Sequence, residues 1–286
     1  MTALLRLFNE CNQRCVFCSY PADENRVPAA EKNISAWIKA AARLRGPLAQ
    51  ISGGEPFLAR PDDLLKLAAY CARSGRSVEI QTNASCALEN RTPAELRALV
   101  KAISPGGCFN VNFSADSPAL DRKITRTRGA FARRLRAVRA LLALGAAVRL
   151  TFVITKMNCA RLDKFAALAA KKMKGVSMVQ FSFVKAAGRA ARDEKIVPRY
   201  AEAAPYLARA LAVCRAEGLK CSVDHIPPCF LGVHRGCHVD VEKMKRRAKG
   251  PHLAEKARLK ECRPCGLCGI CAGPRKDYIA IYGGLK

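Results

Sequence analysis

Cys11, Cys15 and Cys18 stand at C-x3-C-x2-C spacing on one short stretch of chain. Three thiolates so placed can hold three irons of a cubane and leave the fourth iron open to a ligand from outside the protein. An open iron is a place for substrate chemistry. A closed structural zinc site wants four ligands, usually as two separated pairs, so zinc fits this loop poorly, as do three unrelated buried thiols. A second signal follows at Ser52-Gly53-Gly54-Glu55-Pro56. Paired glycines let the backbone approach a ligand closely, and a neighbouring carboxylate can accept hydrogen bonds from a ligand ammonium. Alone these five residues read as a tight turn; one strand after the cysteine loop they suit an amino-acid-like ligand.

A further group of thiols lies near the C-terminus. Cys262, Cys265, Cys268 and Cys271 follow one another at x2 spacing, with Cys214, Cys221, Cys229 and Cys237 ahead of them. Ferredoxin-like runs have similar spacing, and a cysteine distant in sequence can complete their cubane. One auxiliary iron-sulfur cluster is expected, with a structural zinc as the alternative. Cys71, Cys86, Cys108 and Cys159 fall in strand and helix patterns and read as small core residues. All four histidines, His225, His234, His238 and His252, lie in this tail and read as solvated loop residues. Cys237 beside His238 is the one place where a mixed ligand set is conceivable.

These groups need a scaffold. Short apolar runs rich in branched residues occur at 4–8, 48–52, 78–81, 109–114, 148–155 and 176–183, separated by stretches of helical periodicity. Alternation of this kind predicts parallel strands with crossover helices, and it puts the cysteine loop and the glycine pair on one rim of the sheet. A further helix is expected near 200–217, and a boundary near 190–220. The 286 residues are half apolar, which excludes disorder and allows a real core. No window is apolar enough for a membrane helix. The first residues turn polar too quickly for a signal peptide, and the many thiols favour a reducing, cytoplasmic setting.

The 50 Lys and Arg against 23 Asp and Glu give +27. The charge concentrates at Arg122, Lys123, Arg126, Arg128, Arg133, Arg134, Arg136 and Arg139, and again at Lys243, Lys245, Arg246, Arg247 and Lys249. Such runs are commonly solvated faces; if functional, they suit an acidic peptide or an RNA backbone. Aromatic residues are only 6%, with no aromatic-studded strand for stacking bases, which favours peptide or small-molecule substrates.

On Cys11-x3-Cys15-x2-Cys18, with Phe17 before the last thiol, and on Gly53-Gly54-Glu55, the chain resembles the radical S-adenosylmethionine (SAM) superfamily over about residues 3–190. The resemblance implies an α/β fold, a partial (β/α)6 barrel with parallel strands open on one side. It implies a [4Fe-4S] cluster with an open iron on the three cysteines, and S-adenosylmethionine held by Phe17, Gly53, Gly54 and Glu55. Ser114 and Asp116, at the end of the fourth strand, and Asn158, after the fifth, resemble further cofactor contacts. Ala84, in Gln81-Thr82-Asn83-Ala84, stands where relatives often have glycine. The tail resembles a SPASM or twitch-type extension, with Cys262-x2-Cys265-x5-Cys271 as its core. Arg275 occupies the position where the full extension carries another cysteine, so a single auxiliary [4Fe-4S] cluster is implied. Its ligands would be Cys229, Cys262, Cys265 and Cys271, with Cys268 and Cys237 as substitutes.

The domains expected are a barrel at 1–190, a connecting helix at 191–220 and a small cysteine-rich auxiliary-cluster domain at 221–286. The activity implied is anaerobic, reductive cleavage of S-adenosylmethionine by electrons from a donor such as flavodoxin or ferredoxin. The resulting 5′-deoxyadenosyl radical abstracts hydrogen from a substrate, foremost a peptide or protein side chain. A radical enzyme acting on RNA and a non-catalytic iron-sulfur electron-transfer or scaffold protein are the alternatives, and Gly53-Gly54-Glu55 argues against the last.

Overall fold

The computed structural model describes residues 4–21, 33–247 and 250–285; Lys249 and the side chain of His252 lie outside them. Strands β1 (Leu4–Arg6), β2 (Leu48–Ser52), β3 (Ser77–Thr82), β4 (Cys108–Asn112), β5 (Val148–Ile154), β6 (Met178–Phe183) and β7 (Cys221–Asp224) form one sheet in sequential order, every neighbouring pair parallel. Between them run α1 (Ile34–Ala42), α2 (Pro61–Arg73), α3 (Pro93–Ile103), α4 (Pro118–Thr125), α5 (Ala130–Ala143), α6 (Leu162–Lys172), α7 (Arg189–Arg192) and α8 (Tyr200–Ala216). Each strand-helix-strand unit returns the chain to the same end of the sheet, so every strand's C-terminal end meets one rim.

The strands alternate with period two, and the alternation decides what each face does. In β5, Leu150, Phe152 and Ile154 are fully buried toward the helices, while Arg149, Thr151 and Val153 are half-buried on the opposite face. Register extends this across the sheet. Leu5, Ile51, Ile80 and Phe109 are successive partners, as are Val111, Leu150 and Val179. The complementary row runs Gln50, Glu79 and then Gln81, Asn110, Arg149. The sheet therefore buries its apolar row under helices and curls around its polar row. Phe113, Phe131, Phe152, Phe165 and Phe181 pack ring against ring beneath the helices, with centroids 4.8 to 6.1 Å apart. Burying each such ring is worth roughly 1.5–3 kcal/mol.

Six strands were expected, and β7 is a seventh. It lies in the segment assigned from sequence to the tail, and its four residues are too few to show a period. After β7 come α9 (Val239–Lys245), α10 (Pro251–Ala254) and α11 (Lys276–Tyr282). The last helix docks on the barrel through Tyr278, whose ring stacks on Tyr200 with centroids 3.6 Å apart and planes 12° from parallel.

Candidate active site

A cavity of about 680 Å³ opens inside the curl of the sheet. Its walls take residues from every strand between β2 and β7, among them Gln50, Glu79, Asn110, Arg149, Gln180 and Asp224. Cys11, Cys15, Cys18, Phe17 and Gly54 line the same space, so the structure brings the cysteine loop and the glycine pair together on one rim. Gly53 lines an adjoining recess that also holds Cys11 and Cys18.

The glycines are required by backbone contact. A Cβ on Gly54 would stand 1.8 Å from the Glu10 carbonyl oxygen, and one on Gly53 would stand 2.6 Å from that of Phe8. The Gly54 N–H donates to the Phe8 carbonyl at 2.6 Å, and the Glu55 N–H donates to the Glu10 carbonyl at 2.9 Å. β2 thus grips the chain entering the cysteine loop. On the other side the Arg189 N–H donates to the Cys18 carbonyl at 3.0 Å, and Gly188 at φ +57° makes room for it.

Glu55 is fully buried, and its oxygens are engaged within the protein. Oε1 accepts from the Phe57 N–H and the Thr82 hydroxyl, and Oε2 accepts from the Asn83 N–H at 2.6 Å. Burial pushes its pKa up, against the pull of these three donors. The sequence suggested a carboxylate for a ligand ammonium; the structure shows one tying the end of β2 to the end of β3. What faces the cavity beside it is glycine backbone. Ala84, at the same turn, is fully buried with φ +55°, a left-handed backbone that glycine adopts most readily.

Below the cysteine loop lies a polar floor. Gln13 Nε2 donates to Asn83 Oδ1 and Ser85 Oγ at 3.1 and 3.0 Å, and Asn83 Nδ2 donates to Asn12 Oδ1 at 2.8 Å. Asn83 Nδ2 also points at the Cys11 sulfur, 3.8 Å away. Burial pushes the Cys11 and Cys15 thiols up to about 12, helped at Cys11 by the Glu55 charge. Buried thiols of this kind become thiolates when iron replaces their protons, since the metal charge reverses the local preference.

The structure does not bring Ser114, Asp116 and Asn158 to the cavity wall. Asn158 is fully buried, its amide donating to the carbonyls of Ser114 and Val153 and accepting from the Thr155 N–H and hydroxyl. Ser114 Oγ accepts from the Val153 N–H at 3.0 Å, and Asp116 is paired with Arg161. These three fix the ends of β4 and β5 relative to each other. The wall itself is made by residues the sequence reading passed over: Asn110 and Asn112 of β4, Thr151 of β5, Gln180 and Ser182 of β6. Their signal was present as polar residues at every second position of apolar strands. His225, expected as a solvated loop residue, also lines this cavity.

In the tail, Cys229, Cys262, Cys265, Cys268 and Cys271 line one small cavity of about 220 Å³. The Leu267 N–H donates to the Cys265 sulfur at 3.4 Å and the Gly273 N–H to the Cys271 sulfur at 3.3 Å. Arg258 Nη2 donates to the carbonyls of Cys268 and Cys271, closing the loop. Cys237 is elsewhere, its thiol against Cys221, which in turn meets Cys214. Among the described residues, no three His, Cys, Asp or Glu side chains converge as they would on a single metal ion. No helix of these residues is long and apolar enough to cross a membrane.

Comparison with known proteins adds independent findings. Residues 5–169 match the family model of the radical SAM superfamily. The chain is 29% identical over 233 residues to a PqqA peptide cyclase of Gluconobacter oxydans, covering 80% of this chain and 62% of that protein. It is 28% identical over 242 residues to the PqqA peptide cyclase of Methylocella silvestris, covering 81% and 60%. The chain thus spans about three fifths of the length of these relatives. Among solved structures, Streptococcus suis SuiB bound to S-adenosylmethionine superposes with a TM-score of 0.67 at 15% identity, over 97% of this chain and 73% of that one. The anSMEcpe structure with bound AdoMet and Kp18Cys peptide gives 0.55 at 16% identity, over 77% and 62%. At these identities the structures speak for the fold alone, a parallel barrel like the one described. The family match covers more than half of the chain, and its span contains both the three-cysteine loop and the glycine pair seated beside it: the chain belongs to the radical SAM superfamily.

Proposed function

We propose that this chain is a radical SAM enzyme that modifies a peptide by hydrogen abstraction. The observation that carries the reading is that the three-cysteine loop, the Gly54 backbone and the polar strand faces open on one cavity, with Gly53 on the recess beside it. A [4Fe-4S] cluster with an open iron and S-adenosylmethionine, when bound, supply a 5′-deoxyadenosyl radical that abstracts hydrogen. The residues fit such a group: three thiols rise from one loop, and the Gly54 backbone, bare of any side chain, lines the same cavity beside them and would offer acceptors to an amino-acid end.

The chain's own tasks are holding and positioning. Cys11, Cys15 and Cys18 would hold the cluster, Phe17 lines the same cavity beside them, and Glu55 fixes the turn that presents Gly54. Asn110, Asn112, Thr151 and Gln180 offer donors and acceptors to the cofactor's ribose or to the substrate. Ser114, Asp116 and Asn158 hold the strand ends that carry them.

The likeness to proteins described as peptide cyclases favours a peptide substrate. We assign the tail's cysteine cavity to a second [4Fe-4S] cluster, on Cys229, Cys262, Cys265 and Cys271 with Cys268 adjacent; the amide-to-sulfur bonds at Cys265 and Cys271 support this. Thiolate-bound clusters need reduced cysteines, which favours the cytoplasm and an electron donor of the flavodoxin or ferredoxin kind.

The test is 5′-deoxyadenosine formation from S-adenosylmethionine by anaerobically reconstituted, reduced protein, beside a Cys11/Cys15/Cys18→Ala variant. Product from the wild type alone is expected, rising when short peptides are added. No product from either, with iron bound and the reductant active, would move the protein to the electron-carrier class. A rise with RNA and none with peptide would overturn the substrate class only.

A further inference from the structure

β7 ends at Asp224, and the chain turns at His225 with φ +63°, a left-handed backbone that few residue types adopt readily. The turn lays the imidazole on the cavity wall, near Ser182 and Lys185. Here two polar atoms are left over. His225 Nδ1 and Asp224 Oδ1 are both buried, and neither has a hydrogen-bond partner among the described residues. Their companions are engaged: Asp224 Oδ2 accepts from Gln180 Nε2 at 2.7 Å and lies 3.5 Å from His225 Nε2. Lys185, on the same wall, is tied to Glu255, with Nζ 3.1 Å from both oxygens. Several buried side-chain polar atoms lack a partner among the described residues; these two sit on adjacent residues that both line the cavity, and that juxtaposition points to a ligand.

The chemistry of that ligand follows from the tautomer. Nε2 stands 3.5 Å from the Asp224 carboxylate, whose charge favours the ring hydrogen on that nitrogen, so Nδ1 keeps its lone pair and acts as an acceptor. Burial holds the imidazole pKa below its ordinary value; the Asp224 charge pulls the other way, and Lys185, Arg275 and Lys256 add to the effect of burial. The ring is therefore neutral near pH 7. Asp224 Oδ1 is an acceptor too. Two acceptors side by side select a donor, and a peptide offers many.

We propose that His225 Nδ1 and Asp224 Oδ1 form an acceptor pair that binds a hydrogen-bond donor of the substrate, an amide N–H or a hydroxyl of a peptide, at the β6–β7 wall of the cavity. The proposal rests on the peptide-modifying reading above and deepens it. No assignment by family motif reaches this pair, which lies beyond the matched residues 5–169.

The test uses reconstituted protein labelled with nitrogen-15 at histidine, whose four ring systems give few signals. The His225 signals are assigned by their loss in His225→Asn, chosen because asparagine also tolerates a left-handed backbone. N-acetylserine N-methylamide, which carries N–H and O–H donors, is titrated in at about pH 7.5, where unperturbed histidine is mostly neutral. N-acetylproline N,N-dimethylamide, which carries none, is the control. A saturable shift of the His225 Nδ1 signal with the serine amide alone is expected. No saturable shift, or the same shift with both, would overturn the acceptor pair. 5′-Deoxyadenosine formation by the same wild-type preparation is read separately. Its absence beside a saturable shift would remove the enzyme reading and leave a peptide-binding wall, so the two failures are distinguishable.

Discussion

Arg134 is the side chain through which several segments reach the cysteine loop. Its Nη1 meets Asp121 Oδ1 at 2.5 Å, with both side chains almost wholly buried. Nε donates to the Asn83 carbonyl at 2.9 Å and Nη2 to Gln13 Oε1 at 3.3 Å, while the guanidinium lies over the Phe113 ring. Removing one partner of a buried pair leaves an unpaired charge, which costs about 3–5 kcal/mol. Arg134→Met strands Asp121 in this way and is expected to lower stability by that amount. It should also lower iron retention, because Gln13, which Cys15 also bonds through its thiol, loses one of the groups that hold it beside the cysteine loop. Denaturant unfolding and the iron-to-protein ratio check both; a folded variant with full iron would show that the loop holds its own shape. Asn158 offers the opposite contrast, since it satisfies groups of Ser114, Val153 and Thr155 and lines no part of the cavity. Asn158→Ala is expected to cost about 3 kcal/mol, at the upper end for stranding buried backbone groups. Affinity for S-adenosylmethionine should change little in protein that remains folded, measured by equilibrium dialysis; a large loss of affinity there would return Asn158 to the cofactor. In the sequence these residues were indistinguishable from ligand contacts, because a strand-end asparagine looks the same whether it faces a cofactor or a carbonyl.

At the scale of elements, the end of β2 works as a clamp. Gly54→Ala would drive a methyl group into the Glu10 carbonyl, which belongs to backbone and cannot rotate away. Overpacking of this kind costs about 1–3 kcal/mol and sometimes more. The variant is expected at or beyond the top of that range, with the loop displaced from β2 and S-adenosylmethionine binding lost before folding is; calorimetry of binding against thermal unfolding separates the two. β7 is held from its other side by His238, which forms an isolated bridge with Val223 and donates from Nε2 to the Ile226 carbonyl at 2.7 Å. Its Nδ1 accepts from the Asp240 N–H at 3.0 Å, so the ring must be neutral to make both bonds. Burial lowers its pKa from 6.5 to about 4. The unfolded chain therefore binds the extra proton first as pH falls. The stabilisation is present above about pH 6.5 and lost as pH drops toward 4, by about 3 kcal/mol at 1.36 kcal/mol per unit. Urea unfolding at pH 7, 5.5 and 4 (roughly the two ends and the middle of that window) should show a shallower decline for His238→Gln than for the wild type, and equal slopes would refute the assignment. The six strands and the shared rim were legible in the sequence, since long apolar runs and crossover topology leave few arrangements. β7 was not, because a four-residue strand carries no readable period and its membership of the sheet depends on pairing with β6.

The molecule as a whole turns on how the tail is joined to the barrel. The cysteine spacing led to the expectation of a metal-binding tail, and the structure gathers five of its thiols around one cavity. Spacing could not show the joint itself, which is aromatic and lies far apart in sequence. Tyr278 of α11 stacks on Tyr200 of α8, touches Phe183 of β6, and accepts a hydrogen bond at its hydroxyl from the Tyr200 N–H at 3.1 Å. Asp277 accepts from the Ala186 N–H just beyond β6, at 2.8 Å. These contacts belong to the barrel's own core, so the tail is not free to unfold alone. Tyr278→Ala removes the central ring and is expected to cost about 3–5 kcal/mol. In the wild type, tail and barrel should unfold in one transition, with cluster absorbance and far-ultraviolet circular dichroism falling together; separate transitions would show the joint to be weak. Metal content completes the case. Two cubanes predict about eight irons per chain, and a Cys262/Cys265→Ala variant should keep about four, those of the Cys11 loop. A tail that holds zinc instead gives about four irons and one zinc in the wild type and no change of iron in the variant. Cys268→Ala then distinguishes the ligand set: full iron retention leaves Cys229, Cys262, Cys265 and Cys271 as the ligands, and loss of half the iron puts Cys268 among them. Because the tail shares the barrel's aromatic core, its cysteine-lined cavity is held at a fixed position relative to the larger cavity of the barrel, which a loosely tethered domain could not provide.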